Sequence, residues 1–551
     1  MMANIPGSKY IPPPVHGSQI PNSPFTIHRL HSLILNLGLD FQMCDVTRDT
    51  LAQYDKITNV IPEVMASDNA EIRARIAKFS KFEPWDHQLK AVAIVEKLEA
   101  SYMALDMGCG KTKVGYDSIG LDVNNQTTFN RTYLVICPKY IIDVWKNESF
   151  KHSTIPFVIT IKADGLIDNR IEHIKNMKRY SEKSDNPLFI IINYDCIANE
   201  NMQKLLLSME YNTCILDEAH RIKSSKGKIA KFIRAKLSKK CKKRICLSGT
   251  PIANLPNDLW SQYYFLDKDI FGTSYYKFLN KFFLLNDYNQ PIKVINEEEL
   301  KRLMFSICYQ VDSDDVQDLP EYTDIEITGS LSSKELAIYN QMEVLLYSEI
   351  NDNIVTAANA AVKSVRLRQI TSGFLPDEDS DRIEIANNVK PNLLKELLKD
   401  IPQDEQIVIF CFFHYDMDII KKTCDSMDIT NCEISGRIKS SHDALRAFGS
   451  PTVCLNNEKP TARVLIGQSS SASEGVDYTN SRTCIFYTPI YLPKDYKQCR
   501  KRLLRHGQKR SVIYYHLVVK RTIDRVVYNS LTRKIKIGDS ILSYFKEKYQ
   551  S

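Results

Sequence analysis

The sequence predicts an α/β chain: two parallel-sheet halves placed on either side of a helical insertion. Three observations predict it. The chain has 551 residues, and at ~100–200 residues per domain that is more than one domain can hold. Its apolar fraction of 43% and charged fraction of 25% are those of an ordinary globular protein, which excludes a collagen-like, coiled-coil or largely disordered chain. Short Val/Ile/Leu-rich runs alternate with charged amphipathic stretches in two separate series, the texture of parallel strands buried on both faces.

Residues 1–75 read as an N-terminal accessory segment. Pro12, Pro13 and Pro14 make its start extended, an apolar helix-like stretch follows at Ile27 to Leu39, and no chemistry is visible in it. The first α/β half spans 76–255, with strands expected at Tyr102–Leu105, Tyr133–Ile136, Leu188–Ile192, Cys214–Leu216 and Arg244–Leu247. Residues 256–400 break the rhythm. They hold an aromatic helical stretch (Trp260 to Phe283), an acidic loop and a helix-like run at Leu336 to Leu346, read together as a helical insertion and connector. The second half, 401–551, has strands expected at Ile407–Phe412, Cys432–Ile434, Val464–Ile466, Cys484–Tyr487 and Val512–Leu517, then a C-terminal helix.

Composition narrows the classes further. No apolar run approaches the ~18 residues of a membrane span, so no membrane partner is expected. Met1 to Pro14 has no apolar core segment, so no secretion signal is expected. The 14 cysteines include no C-x-x-C pair. Cys137, Cys214, Cys246 and Cys411 lie inside strand-like runs, the pattern of reduced, packed thiols rather than of disulfides or zinc. The net charge of +7 is modest, but twelve Lys or Arg and no acid lie between Arg221 and Arg244, and a second basic cluster runs from Lys494 to Arg510. One such run is as readily a solvated face. Two, each beside a catalytic-looking motif, point to a polyanionic partner.

Two motifs carry the chemistry. Met107, Gly108, Cys109, Gly110, Lys111 and Thr112 follow a strand and open a helical stretch. Glycines let backbone N–H groups wrap a phosphate, Lys111 reaches the β/γ-phosphates, and Thr112 offers a hydroxyl to Mg²⁺. Leu105 stands where the full pattern has glycine, and a plain glycine turn is the competing reading. The second motif is an apolar strand ending in Asp217 and Glu218, followed by Ala219 and His220. Asp217 can hold the Mg²⁺ and Glu218 can orient and deprotonate a water; the competing reading is an Asp that caps the next helix.

In this order, with Leu247 to Asn254 and Asp258-Leu259-Trp260 after them, the motifs resemble the Swi/Snf-like ATPases of helicase superfamily two. Leu134 to Lys139 with Trp145, and Gln498 to Gln508, resemble two further motifs of that family. The resemblance covers residues 82 to 530. It implies two RecA-like domains with ATP in the cleft between them. Gln88, 23 residues before Lys111, would read the adenine. Arg502 and Arg505 would act as arginine fingers. Ser248, Thr250 and His220 would couple nucleotide state to nucleic acid, Gly475 and Asp477 would touch nucleotide, and Lys139 would meet a DNA phosphate. Plainer readings stand beside these. Gln88 can be a surface residue, Arg502 and Arg505 a solvated helix face, and Trp85 and Trp145 core anchors. Ser306 to Gln310 departs from the family, which has a basic stretch there.

The expected activity is an ATP- and Mg²⁺-dependent motor on double-stranded DNA, with branched DNA left open and a protein partner allowed through residues 1–75. A strand-separating DNA or RNA helicase and a non-hydrolysing DNA scaffold are the rivals. With ~75 residues before the core, the resemblance favours a compact viral or bacterial member. Its place would be the cytoplasm of a bacterium or infected cell, or the nucleus if the source is eukaryotic.

Overall fold

The computed structural model of the protein describes residues 9–11, 17–19, 23–37, 43–125, 131–160, 166–252, 255–286, 291–316, 319–337, 339–341, 343, 357–375, 383–384, 389–438, 442–451, 459–469, 476–505 and 507–535. Met1–Val316 and Gln317–Ile537 fall into separate compact units. Leu336 to Leu346 lies partly outside the described residues.

The first unit is built on a seven-stranded sheet in the order Cys308–Val311, Ala100–Leu105, Cys241–Leu247, Tyr211–Asp217, Thr132–Cys137, Leu188–Asn193 and Val158–Thr160. Every ladder in it is parallel. Its central strands, such as Thr132–Cys137 and Tyr211–Asp217, are buried along their whole length, as both-face coverage by helices requires. Cys137, Cys214 and Cys246 are buried free thiols in these strands, as is Cys411 in the second unit.

The second sheet, also parallel throughout, runs Tyr322–Gly329, Val512–Val519, Thr483–Phe486, Ile407–Cys411, Val464–Gln468 and Asn431–Ile434. Alternate side chains feed two cores. Val408 and Phe410 join one, while Ile407, Ile409 and Cys411 join the other, the period of two that a strand imposes.

Of the strands in these two sheets, three were not expected from the sequence, and two of them redraw the domain limits. Cys308–Val311 pairs with Ala100–Leu105, so the helices Leu259–Leu266, Lys268–Phe271, Tyr275–Phe282 and Glu297–Met304 before it belong to the first unit. Tyr322–Gly329 pairs with Val512–Val519, and helices Ala357–Thr371 and Val389–Asp400 belong to the second unit. Residues 256–400 are thus shared between the units rather than forming one insertion. The third strand, Val158–Thr160, is a short edge.

Residues 1–75 also change status. Phe25, Tyr54, Ile61, Val64 and Ile72 lie in the first unit's core, and the Arg29 guanidinium donates to the Ile270 carbonyl. The described helices Pro24–Asn36 and Asp45–Ala66 are part of that unit's packing.

Candidate nucleotide site and nucleic-acid surface

A parallel sheet aims the C-terminal ends of all its strands at one edge, and ligands bind there. Ala100–Leu105 and Tyr211–Asp217 flank Cys241–Leu247, with Met103 and Asp217 both in register with Leu247. The phosphate-loop candidate and the two acids therefore emerge at one edge, two strand spacings apart, or about 10 Å.

The strand persists through Leu105. An extended residue needs no glycine, which explains the departure at this position. The loop proper runs from Asp106 to Gly110, and the glycines that bend it are Gly108 at φ 84° and Gly110 at φ 77°. Asp106 braces the loop at two points. One carboxylate oxygen accepts from the Met107 N–H at 2.7 Å, and the other accepts from the Ser313 hydroxyl at 2.8 Å. Lys111 opens the helix Lys111–Asn125, and its ammonium donates to the carbonyls of Leu105 at 3.1 Å and Asp106 at 3.3 Å. Thr112 is next on the helix, half-buried.

Gln88 is 4% exposed, which sets aside the surface reading. Its Nε2 donates to the Cys109 carbonyl at 3.2 Å, and its Oε1 accepts from the Trp85 N–H at 3.1 Å. His87 Nε2 lies 2.9 Å from the same Cys109 carbonyl. A carbonyl only accepts, so this nitrogen carries the proton. Burial lowers the His87 pKa, which favours the neutral ring. Trp85 is 46% exposed and is no core anchor.

Gly110 admits a direct test. A Cβ there would stand 2.1 Å from Gln88 Nε2, on a backbone in the left-handed region. The Gly110→Ala variant therefore has to reshape the loop or displace a hydrogen-bonded glutamine, at a cost of ~1–2 kcal/mol for the backbone alone. A fluorescent ATP analogue titrated against it is expected to bind at least about 10-fold more weakly, with thermal unfolding little changed. Unchanged affinity would show that this loop does not hold phosphate.

Asp217 is 4% exposed and held at three points. Its Oδ2 accepts from the Trp145 indole N–H at 2.7 Å, its Oδ1 from the Glu218 N–H at 2.9 Å, and its carbonyl from the Tyr194 hydroxyl at 2.8 Å. Burial, and then the Glu218 charge, raise its pKa above the ordinary carboxylate value. Glu218 sits at φ 53°, a left-handed conformation that costs a non-glycine residue of order 1–3 kcal/mol and clusters at functional sites. His220, 3% exposed, places Nδ1 3.2 Å from Glu218 Oε2 and 3.3 Å from Ser248 Oγ. Ser248 Oγ accepts from the Thr250 N–H at 3.1 Å. Glu218, His220, Ser248 and Thr250 thus form one chain of contacts. A Cβ on Gly249 would lie 3.4 Å from Lys111 Nζ and 3.3 Å from the Leu105 carbonyl, so this turn closes onto the loop.

Lys139 is exposed just beyond the strand Thr132–Cys137. The basic run 221–244 is not one surface. Arg221 follows Glu218 at the same edge as the loop, but Lys240 and Lys242 stand at the opposite edge, where Cys241–Leu247 begins and Lys240 pairs with Glu210. Arg234 is buried, donating to Ser261 Oγ at 3.0 Å and lying 4.9 Å over the Trp260 ring. Ser306 to Gln310 is buried and ends in the edge strand, so it offers no phosphate contact. Tyr275 is bonded to Asn257 and packs on Trp260, whereas Tyr276 is 60% exposed.

In the second unit the helix Pro493–Arg500 ends before both candidate fingers, so Arg502 and Arg505 do not form a helix face. Arg502 Nη1 donates to the Val476 carbonyl at 3.3 Å, and Arg505 Nε lies 3.6 Å from Asp477 Oδ2. Gln508, 5% exposed, pins this turn. Its amide donates to the Ser481 carbonyl at 2.8 Å and accepts from the Lys509 and Arg510 N–H groups. Gly475 lies outside the described residues. His87, Asp106, Trp145, Tyr194, Gly249 and Gln508 carry roles that sequence reading did not assign. Trp145, Gly249 and Gln508 stand inside motifs already recognised; His87, Asp106 and Tyr194 had no signal of their own.

The fold defines a helicase-like α/β protein, with a candidate phosphate-loop site at this edge. Residues 87–375 match the SNF2-related domain, and residues 389–507 match the helicase conserved C-terminal domain. The chain belongs to the SNF2-related family. It is 23% identical over 475 residues to the ISWI chromatin-remodeling complex ATPase ISW2 of Saccharomyces cerevisiae, covering 82% of this chain and 40% of the yeast protein. It is 22% identical to protein p41 of the Acyrthosiphon pisum secondary endosymbiont phage 1, covering 85% of this chain and 99% of the phage protein. The chain thus spans less than half of the yeast relative and nearly all of the phage one. Among solved structures, the Sulfolobus solfataricus SWI2/SNF2 ATPase core in complex with dsDNA is 22% identical, with a TM-score of 0.39, covering 84% of this chain and 94% of that one. Among the described residues, no helix is long and apolar enough to cross a membrane.

Proposed function

We propose that the chain is an ATP-dependent motor that moves on, or remodels, double-stranded DNA. The observation that carries this is the shared edge in the first unit, where the Gly108–Thr112 turn, the Asp217–Glu218 pair and the Ser248–Thr250 turn meet. Membership of the SNF2-related family supports the nucleic-acid half of the reading.

The residues fit Mg²⁺–ATP. Asp217 and Thr112 offer hard oxygens, the donors Mg²⁺ takes alongside waters and phosphates, and the loop glycines leave backbone N–H groups without Cβ cover. When bound, the metal neutralises charge on the β- and γ-phosphates. In this reading Lys111 holds the same oxygens, leaving the two loop carbonyls it now meets, and Gln88 contacts the adenine. Glu218 orients the attacking water and takes its proton. His220 keeps the Glu218 carboxylate in place and relays its state to Ser248 and Thr250. Arg502 and Arg505 supply positive charge to the transition state, with Gly475 and Asp477 supporting them near the nucleotide. Lys139 and Arg221 contact DNA phosphates. Exposed Leu35 and Val46 on the N-terminal helices are where a protein partner would dock.

The test is steady-state ATPase at one fixed salt with duplex, single-stranded, branched and RNA activators, run beside displacement of a triplex strand and of a forked strand. Duplex is expected to stimulate most, with triplex displacement and little fork unwinding. A phosphate-only grip should also weaken linearly on a log–log plot against salt. Stronger stimulation by single strands or RNA with robust unwinding would favour a strand-separating helicase, and absent hydrolysis a nucleotide-binding scaffold.

A further inference from the structure

The indole of Trp145 joins three parts of the first unit. Its N–H donates to Asp217 Oδ2 at 2.7 Å. Its ring lies over Gly115 of the helix that Lys111 opens, so close that a Cβ there would stand 2.6 Å from the ring. Its backbone belongs to the helix Ile142–His152, which directly follows Lys139–Ile141, and its carbonyl accepts from the Tyr116 hydroxyl. The side chain is fully buried, and Phe189 closes its other flank.

A buried indole N–H needs an acceptor, and any carbonyl oxygen would satisfy it. Here packing against Tyr116, Phe189 and Gly115 sets it on a strand-end carboxylate instead, where the same bond also orients that group. A carboxylate has about four acceptor positions. The Glu218 N–H occupies one on Oδ1 and the indole one on Oδ2, which fixes the rotation of the group and leaves defined lone pairs for a cation. We propose that Trp145 is a positioning residue for the Asp217 carboxylate as a metal ligand, and that it ties this carboxylate to the helix that directly follows the Lys139–Ile141 turn, so that DNA contact at Lys139 and metal geometry are coupled. Both halves rest on the proposed function, the metal half on Asp217 as a Mg²⁺ ligand and the coupling half on Lys139 as a DNA contact.

The experiment replaces Trp145 alone, by site-specific incorporation, with β-(3-benzothienyl)alanine, which has nearly the same ring shape but sulfur in place of N–H. Mn²⁺ binding in the presence of ADP is read by electron paramagnetic resonance, beside thermal unfolding and ATPase activity with and without duplex DNA. The Trp145→Phe variant provides a second ring without a donor. Hydrogen bonds that orient a metal ligand are typically worth 10–100-fold in metal affinity. The expected result is Mn²⁺ affinity reduced about 10-fold or more in both variants, a lower DNA stimulation ratio, and an unfolding temperature near wild type for the isostere. Wild-type Mn²⁺ affinity in the isostere would overturn the proposal and leave Trp145 a packing residue. Weakened Mn²⁺ binding with full DNA stimulation would overturn the coupling half. A wild-type protein that binds Mn²⁺–ADP but hydrolyses ATP with no nucleic acid would refute the proposed function while the metal comparison still stands. One that binds no Mn²⁺–ADP would refute both.

Discussion

The Glu218→Gln variant is expected to bind ATP as wild type does and to turn it over on the order of 10³-fold more slowly, the scale of a lost general base. The glutamine amide keeps the size of the side chain and an acceptor oxygen for His220, whose Nδ1 is 3.2 Å from Glu218 Oε2. It cannot take a proton from water. The acid acts on the water and not on the ground-state nucleotide, so binding and turnover should separate. The strained backbone at φ 53° should be unaffected, since the substitution leaves the Cβ in place. Nucleotide affinity and single-turnover hydrolysis, measured side by side, decide the matter. Near wild-type turnover would remove Glu218 from the role of base.

The Arg502→Ala and Arg505→Ala variants are each expected to cut maximal ATP turnover on the order of 10³-fold, within the range known for arginine fingers, while ATP affinity stays within a few-fold. Both side chains leave a turn past the helix Pro493–Arg500 and are held by local acceptors, the Val476 carbonyl and the Asp477 carboxylate. Those contacts are to half-exposed groups and can be exchanged for a phosphate. Arg500 is the control. It is packed among Tyr322, Tyr496 and Tyr514, with Asp324 3.1 Å away, and Arg500→Ala should lower the unfolding temperature instead. Unchanged turnover in both single variants would return this cluster to a solvated or DNA-contacting surface.

The expected strands at the centre of each sheet are all present, because a strand buried on both faces is apolar over most of its length and so marks itself. Of the four edge strands, only Asn431–Ile434 was expected. Cys308–Val311 is four residues of mixed type, and Tyr322–Gly329 alternates acids and threonines with isoleucine beside an acidic loop. Both meet a neighbour on one side only, so their composition is less constrained. Missing them ended the first half at 255 and began the second at 401, with an insertion between, where the two units meet at Val316 and Gln317. The basic run misled for a related reason. A count of charges along the chain does not register that a helix and a strand carry Arg221 and Lys242 to opposite edges of one sheet.

The family and the motif positions were legible in the residues themselves. Glycines at 108 and 110, a lysine and threonine after them, and two acids at a strand end are demanded by local chemistry, and local chemistry is written in order along the chain. The tertiary structure alone decided what surrounds those residues. It set the Trp145 indole on Asp217, His87 and Gln88 on one carbonyl, Asp106 against Ser313, and Gly249 against Lys111. Each joins groups tens to hundreds of residues apart, held together by the packing of parallel strands and helices. Such pairs have no spacing to recognise, because nothing in the sequence records which distant residue will fill the space beside a given side chain.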